Sequence, residues 1–118
     1  MSSTPLQRRA DAPTTQEYGC DFRRILPWGS TGPSDTGMGV CTVAPGTTTT
    51  PHSHADHEHF YVVSGTGLLH LDGESTAIGP GDAFVVDSHR RHHFENTSAR
   101  EELEMVSVWS MGAFGAAP

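Results

Sequence analysis

The 118-residue chain is long enough for one domain with one core and too short for two independent ones. Its 14 acidic residues stand against 7 basic ones, all of them arginine, and the only basic doublets are Arg8–Arg9, Arg23–Arg24 and Arg90–Arg91, which argues against nucleic acid as a partner because a phosphate backbone needs clustered positive charge. With no lysine, Schiff-base chemistry and a P-loop are excluded as well.

In chain order, residues 1–17 are polar, contain prolines and show no period, so they predict a flexible N-terminal arm that a neighbour would have to hold. The run YGCDFRRILPW (18–28) reads as a strand, the turn formers after it as a loop, and GVCTVA (39–44) as the next strand. HEHFYVVS (57–64) leads into a Gly-Thr-Gly turn, and LLHLD (68–72) runs into Asp72-Gly73, a favoured hairpin dipeptide. STAI (75–78), AFVV (83–86), RHHFEN (91–96) and ELEMVSVW (102–109) complete the series before a small-residue tail. Apolar residues nowhere recur at i, i+3, i+4 and i+7, so almost no helix is expected. Short strands at this spacing, with 13 glycines and 8 prolines between them, predict an all-β sandwich or barrel. The expected boundaries are an arm at 1–17, one domain at 18–112 and a tail at 113–118.

Cys20 and Cys41 lie 21 residues apart with no CxxC partner, and read as reduced thiols buried in strands in preference to a disulfide. There is no signal-like apolar region near the N-terminus and no run approaching the ~18 apolar residues of a membrane span, so a cytoplasmic, non-membrane protein is expected.

All eight histidines fall between residues 52 and 93. His52 and His54, two apart, share a face on an extended segment, and Glu58 has the same parity. Two imidazoles and a carboxylate make a divalent-metal site if a facing strand supplies a third imidazole. Taken alone, HSHADHEH is equally a solvated histidine-rich loop. His57 and His59 have the opposite parity and read as outward-facing or as supports behind the ligands, with one of them joining the site as the lesser alternative. His70 reads as a packed, hydrogen-bonded ring. Arg90 and Arg91 read either as a bidentate anchor for a substrate carboxylate or as a solvated turn, and Tyr61 as a weaker candidate for a functional hydroxyl. Phe60, Val62, Phe84, Val86 and Phe94 are the expected barrel lining.

Two segments resemble a known family. GTTTTPHSHADHEHFYVVSG (46–65) is similar to the first cupin motif, G(X)5HXH(X)3E(X)6G, at Gly46, His52, His54, Glu58 and Gly65. GDAFVVDSHRRHHFEN (81–96) resembles the second, G(X)5PXG(X)2H(X)3N, at Gly81, His92 and Asn96, with Asp87 where proline is usual and His89 where glycine is usual. The resemblance implies a double-stranded β-helix, or jelly roll, that holds one divalent ion through His52, His54, Glu58 and His92. It also implies that the last strand and the N-terminal segment pack outside the barrel, where similar proteins pair two subunits, so a homodimer is expected. His93 would face away from His92.

Iron, zinc, manganese, nickel and copper all suit such donors, so the ion is not named by the residues. The expected function is a metal-dependent enzyme acting on a small, polar, metal-chelating metabolite by oxygenase, isomerase or lyase chemistry, with Tyr61, Arg90 and Arg91 as candidate catalytic groups. Two alternatives stand beside it. One is a zinc cupin module of a larger biosynthetic enzyme that joins amino acids through an N–N bond, which the chain resembles in size, ligand set and its LEMVSVW ending. The other is a non-catalytic module that binds or senses a metal or small ligand.

Overall fold

The computed structural model describes residues 6–26 and 35–110. A single 3-10 turn, Arg9–Asp11, precedes nine strands: β1 (Thr14–Glu17), β2 (Cys20–Leu26), β3 (Thr36–Val43), β4 (His57–Ser64), β5 (Gly67–Leu71), β6 (Glu74–Ile78), β7 (Ala83–Val86), β8 (His92–Glu95) and β9 (Leu103–Ser110). They form a six-stranded antiparallel sheet in the order β1-β2-β3-β9-β4-β7 and a three-stranded one in the order β6-β5-β8. The all-β, two-sheet jelly roll is the fold that the sequence predicts. The small-residue tail, residues 27–28 of the expected first strand and the 29–34 part of the loop after it lie outside the described residues.

Alternation explains why these segments are strands. In β3 every second residue is buried, and in β9 Leu103, Met105 and Ser107 point inward while their neighbours stay partly exposed. Inward positions of period two meet between the sheets. Val43, Val62, Val86, Leu103 and Met105 are fully buried, with Phe60, Phe94, Leu69 and Ile78 packed on them. Each such side chain contributes about 1.5–3 kcal/mol by leaving water. Phe60, Val62, Val86 and Phe94 are in the core as expected, and Phe84 packs against it half-buried.

Three expectations are corrected. Thr14–Glu17, assigned to a flexible arm, is a strand paired with β2, and its mostly exposed pattern explains why it carries no apolar period. Tyr18 and Gly19, read as the start of a strand, form the two-residue turn between β1 and β2, with φ of 53° and 81°. The last strand does not lie outside the barrel: β9 is central, between β3 and β4. A second two-residue hairpin turn, Asp72-Gly73, joins β5 to β6 with φ of 47° and 86°, the left-handed pair that lets a hairpin follow the strand twist.

Candidate metal centre

The segment before β4 is held to β8 by backbone pairing. Thr49 N–H donates to the Phe94 carbonyl (2.8 Å), and Phe94 N–H donates to the Thr49 hydroxyl (2.8 Å). His52 and His92 exchange both backbone hydrogen bonds, at 3.1 and 2.9 Å, and so stand directly opposite one another. The buried Asn96 amide donates to the carbonyls of Val43 and Glu101, and its oxygen accepts from Ser98 N–H, fixing the end of β8. His89, which occupies a position where the family motif has glycine, does adopt φ of 64° and donates its N–H to the His54 carbonyl at 2.7 Å.

These constraints bring three rings together. Centroids of His52 and His92 are 4.4 Å apart, of His54 and His92 4.9 Å, and of His52 and His54 5.4 Å, and one nitrogen from each lies within 4.8 Å of the others. The opposite nitrogens are all engaged by backbone carbonyls: His52 Nδ1 by Thr50 (3.0 Å), His54 Nδ1 by Asp56 (3.0 Å) and His92 Nδ1 by Arg90 (2.9 Å). A carbonyl accepts and cannot donate, so each Nδ1 carries a proton and each Nε2 is the atom turned inward; by the same rule the Nε2 of His54, 3.0 Å from a Glu58 oxygen, carries a proton that an ion would displace. Glu58 completes the group, with Oε1 3.0 Å from His54 Nε2 and 3.9 Å from His92 Nε2, while Oε2 accepts a hydrogen bond from the buried Ser107 hydroxyl.

Burial pushes His52 and His92 below the ordinary histidine range, which keeps them neutral, whereas the Glu58 carboxylate pushes His54 upward. Two neutral imidazoles, a third that becomes neutral when an ion displaces its proton, and a carboxylate are donors that a divalent first-row ion takes, so the residues present fit such an ion.

The cluster opens into a cavity of about 200 Å³, whose far wall comes from β2, β3 and β9. Phe22, Trp109, Phe60 and Phe94 present rings to it, and the Arg24 guanidinium sits 5.4 and 5.5 Å from the Phe22 and Trp109 ring centres while pairing loosely with Glu17 (3.5 Å). Gly37 and Gly39 of β3 make this wall possible, since a β-carbon at either would collide with the Trp109 or Phe22 ring. Tyr18 stacks on His52 at 3.8 Å and 8°.

Tyr61, Arg90 and Arg91 do not line this cavity. Tyr61 has the parity opposite to Glu58 and Phe60, so it is half-exposed on the outer face of β4. Arg90 is engaged by Asp72 through Nε at 2.7 Å, pinning the β5–β6 turn, and Arg91 borders a separate depression with Pro51, His70 and His93. His57 is outside the cluster, with Nδ1 accepting from Ser88 N–H at 3.4 Å and 3.7 Å from Asp87, and His59 lies on the exposed face of β4. The sequence reading missed Tyr18, Arg24, Trp109 and Ser107. Parity with Cys20 and Phe22 on β2, or with Leu103 and Met105 on β9, marks the last three as inward, but nothing local says that they face the histidines.

A two-sheet jelly roll with a histidine–glutamate cluster at one end of its interior defines a class of small barrels. The chain belongs to the cupin family, and the model of the cupin domain matches residues 39–109. It is 29% identical over 109 residues to protein SchB of Streptomyces halstedii, covering 92% of this chain and 77% of that protein. It is 33% identical over 92 residues to polyketide synthase CurC of Streptomyces cyaneus, covering 77% of this chain and 59% of that one. Among solved structures, a cupin 2 conserved barrel domain protein from Salinispora arenicola superposes with a TM-score of 0.75 at 27% identity, over 93% of this chain and 88% of that chain.

Proposed function

We propose that this cupin is a metal-dependent enzyme whose single divalent ion is held by His52, His54, Glu58 and His92, and whose substrate is a small metabolite that chelates that ion. One observation carries the reading: three histidines have their Nδ1 atoms committed to backbone carbonyls, so that their Nε2 atoms are turned to one point beside the Glu58 carboxylate. A bound ion supplies Lewis acidity there, and dioxygen chemistry if it is redox-active. The chain's own residues do the rest. Ser107 orients Glu58, the four aromatic rings exclude water and receive a flat, conjugated body, and Arg24 stands where an anionic substituent would be met.

A conjugated compound with adjacent oxygens, of the polyketide type, suits both the donor cluster and the aromatic wall, and the similarity to polyketide synthase CurC supports that class. Oxygenase, isomerase or lyase chemistry are the reactions proposed. The exposed strip of Tyr61, Val63 and Val85 on the outer face of β4 and β7 supports a homodimer. Among the described residues no helix is long and apolar enough to cross a membrane, and the free thiols are in keeping with a cytoplasmic location.

The test is metal content by elemental analysis of the purified protein and of His52→Ala, His54→Ala, Glu58→Ala and His92→Ala. Each variant is expected to lose its ion. Stoichiometric metal in His92→Ala overturns the ligand set. A full ion together with turnover of no chelating substrate would leave a binding or sensing module instead.

A further inference from the structure

The cavity holds two sulfurs that the metal chemistry does not use. Cys20 opens β2 and Cys41 lies in β3, where the register pairs Asp21 with Thr42 and Phe22 with Cys41, so the two cysteines sit diagonally on neighbouring antiparallel strands. Both side chains face the cavity, and their Sγ atoms are 3.2 Å apart. The Cys41 thiol donates to Cys20 Sγ, and the Cys20 thiol donates to the Glu17 carbonyl at 3.2 Å, so the sulfurs are aligned by a hydrogen-bond chain and remain free thiols. The gap to a disulfide, whose bond is about 2.05 Å, is roughly 1 Å, which a small rotation of two side chains can close. Only 8% and 4% exposed, the cysteines are shielded from large reagents yet open to a molecule the size of a hydroperoxide entering the cavity.

We propose that Cys20 and Cys41 form a reversible oxidation site that closes to a disulfide on meeting a hydroperoxide. In the first step a sulfur attacks the peroxide, the O–O bond breaks, a sulfenic acid forms, and the other oxygen leaves as water or an alcohol. In the second, the neighbouring thiol attacks that sulfur, the S–S bond forms, the S–O bond breaks and a second water leaves. The two thiols together lose two electrons and two protons, which the peroxide takes up. The Cys41 S–H points at Cys20 Sγ, so a thiolate at Cys20 keeps that hydrogen bond whereas one at Cys41 loses it, which makes Cys20 the attacking sulfur and Cys41 the resolving one. The same bond holds the Cys20 thiol below its ordinary range and, with burial, pushes Cys41 upward.

The bond would staple the Tyr18-Gly19 turn, which immediately precedes Cys20, to β3. That turn carries the Tyr18 ring on His52, and its carbonyl accepts from Thr50 N–H at 2.7 Å. Oxidation therefore fixes a ring over one donor of the cluster.

The experiment uses the folded, reduced protein and hydrogen peroxide, with thiols counted after denaturation and the intact mass measured. The expected result is a fall from two thiols per chain to none, a loss of two hydrogens, a monomeric band without reductant and full recovery with dithiothreitol. Peptide mapping should find Cys20 joined to Cys41. Cys20→Ser and Cys41→Ser should each be unable to lose two hydrogens within one chain. Thiols that survive in the folded protein under conditions that oxidise the denatured chain would overturn the proposal. So would sulfinic acid as the wild-type product, or a crosslink between chains. Because the wild-type readout involves no metal, it stands or falls separately from the ligand set.

Discussion

His92 and His93 are neighbours on one strand, yet they belong to different chemistry. Facing into the barrel, His92 is 1% exposed, gives its Nδ1 proton to a carbonyl and turns Nε2 towards Glu58 and two more imidazoles. Facing out, His93 stacks on His70 at 4.4 Å and 10° across the β5–β8 pair. His70 has the reverse arrangement of nitrogens: the Ser75 hydroxyl meets Nδ1 at 2.8 Å, and Nε2 is committed to Glu95 at 3.0 Å. Glu95 is half-exposed, and among the described residues no third ligating side chain joins His70 and Glu95 at ion-binding distance. Histidine density therefore does not make a site. The inner cluster differs in burial and in having one nitrogen from each of three imidazoles aimed at the others.

The largest expected effect breaks or keeps this contrast directly. His92→Ala should weaken zinc or iron binding by more than the roughly 100-fold at the upper end for losing an outer supporting partner, while His93→Ala should bind as the unmodified protein does. Titration calorimetry decides it, and equal losses in the two variants would end the distinction between the faces.

Ser107→Ala sharpens the same point, because it removes no ligand. It leaves Glu58 Oε2 without the partner that orients it, and affinity for the ion is expected to fall about 10- to 100-fold. Fluorescence competition with a chelating dye measures this, and unchanged affinity would mean that Glu58 needs no orientation.

Acid should act on the inner cluster in a defined order. His54 sits above the ordinary histidine range because of Glu58, so a proton already competes with the ion at its Nε2 above a pH of about 6.5. His52 and His92 sit below that range, so they stay neutral until the pH falls further. Ion affinity should decline as pH falls, first through His54 and then more steeply through the other two. In the metal-free protein the signs are opposed: the His54–Glu58 pair stabilises the fold below the unfolded value and is lost as pH rises through the raised one, whereas burial of neutral His52 and His92 favours the fold above it and is lost as pH falls. Affinity rising on acidification would contradict the assignment of Nε2 as the donor atom.

The smallest effect is on the outer face. Ser75→Ala removes the hydroxyl bonded to His70 at an exposed position, and should change stability by no more than about 0.5 kcal/mol with metal content unaltered. Thermal unfolding checks it.

Much of the fold is legible because it is local. Apolar, branched and aromatic runs between turn formers mark β4, β7 and β9, and Asp72-Gly73 marks its hairpin. Where that signal fails, a physical reason is visible. Exposure leaves Thr14–Glu17 without an apolar rhythm, and a left-handed Tyr18 is uncommon enough that a turn there does not suggest itself. Parity likewise separates Glu58 from His57, His59 and Tyr61, since side chains on a strand alternate between faces.

What the chain by itself determines is thus the element types, the face each residue takes and the two cupin motifs with their spaced histidines. What the tertiary structure decides is which faces meet. The pairing of His52 with His92, the reach of Ser107 to Glu58, the wall built by Arg24, Phe22 and Trp109 and the meeting of Cys20 with Cys41 all join residues far apart in sequence. Such contacts depend on strand order and register, and no local period encodes them.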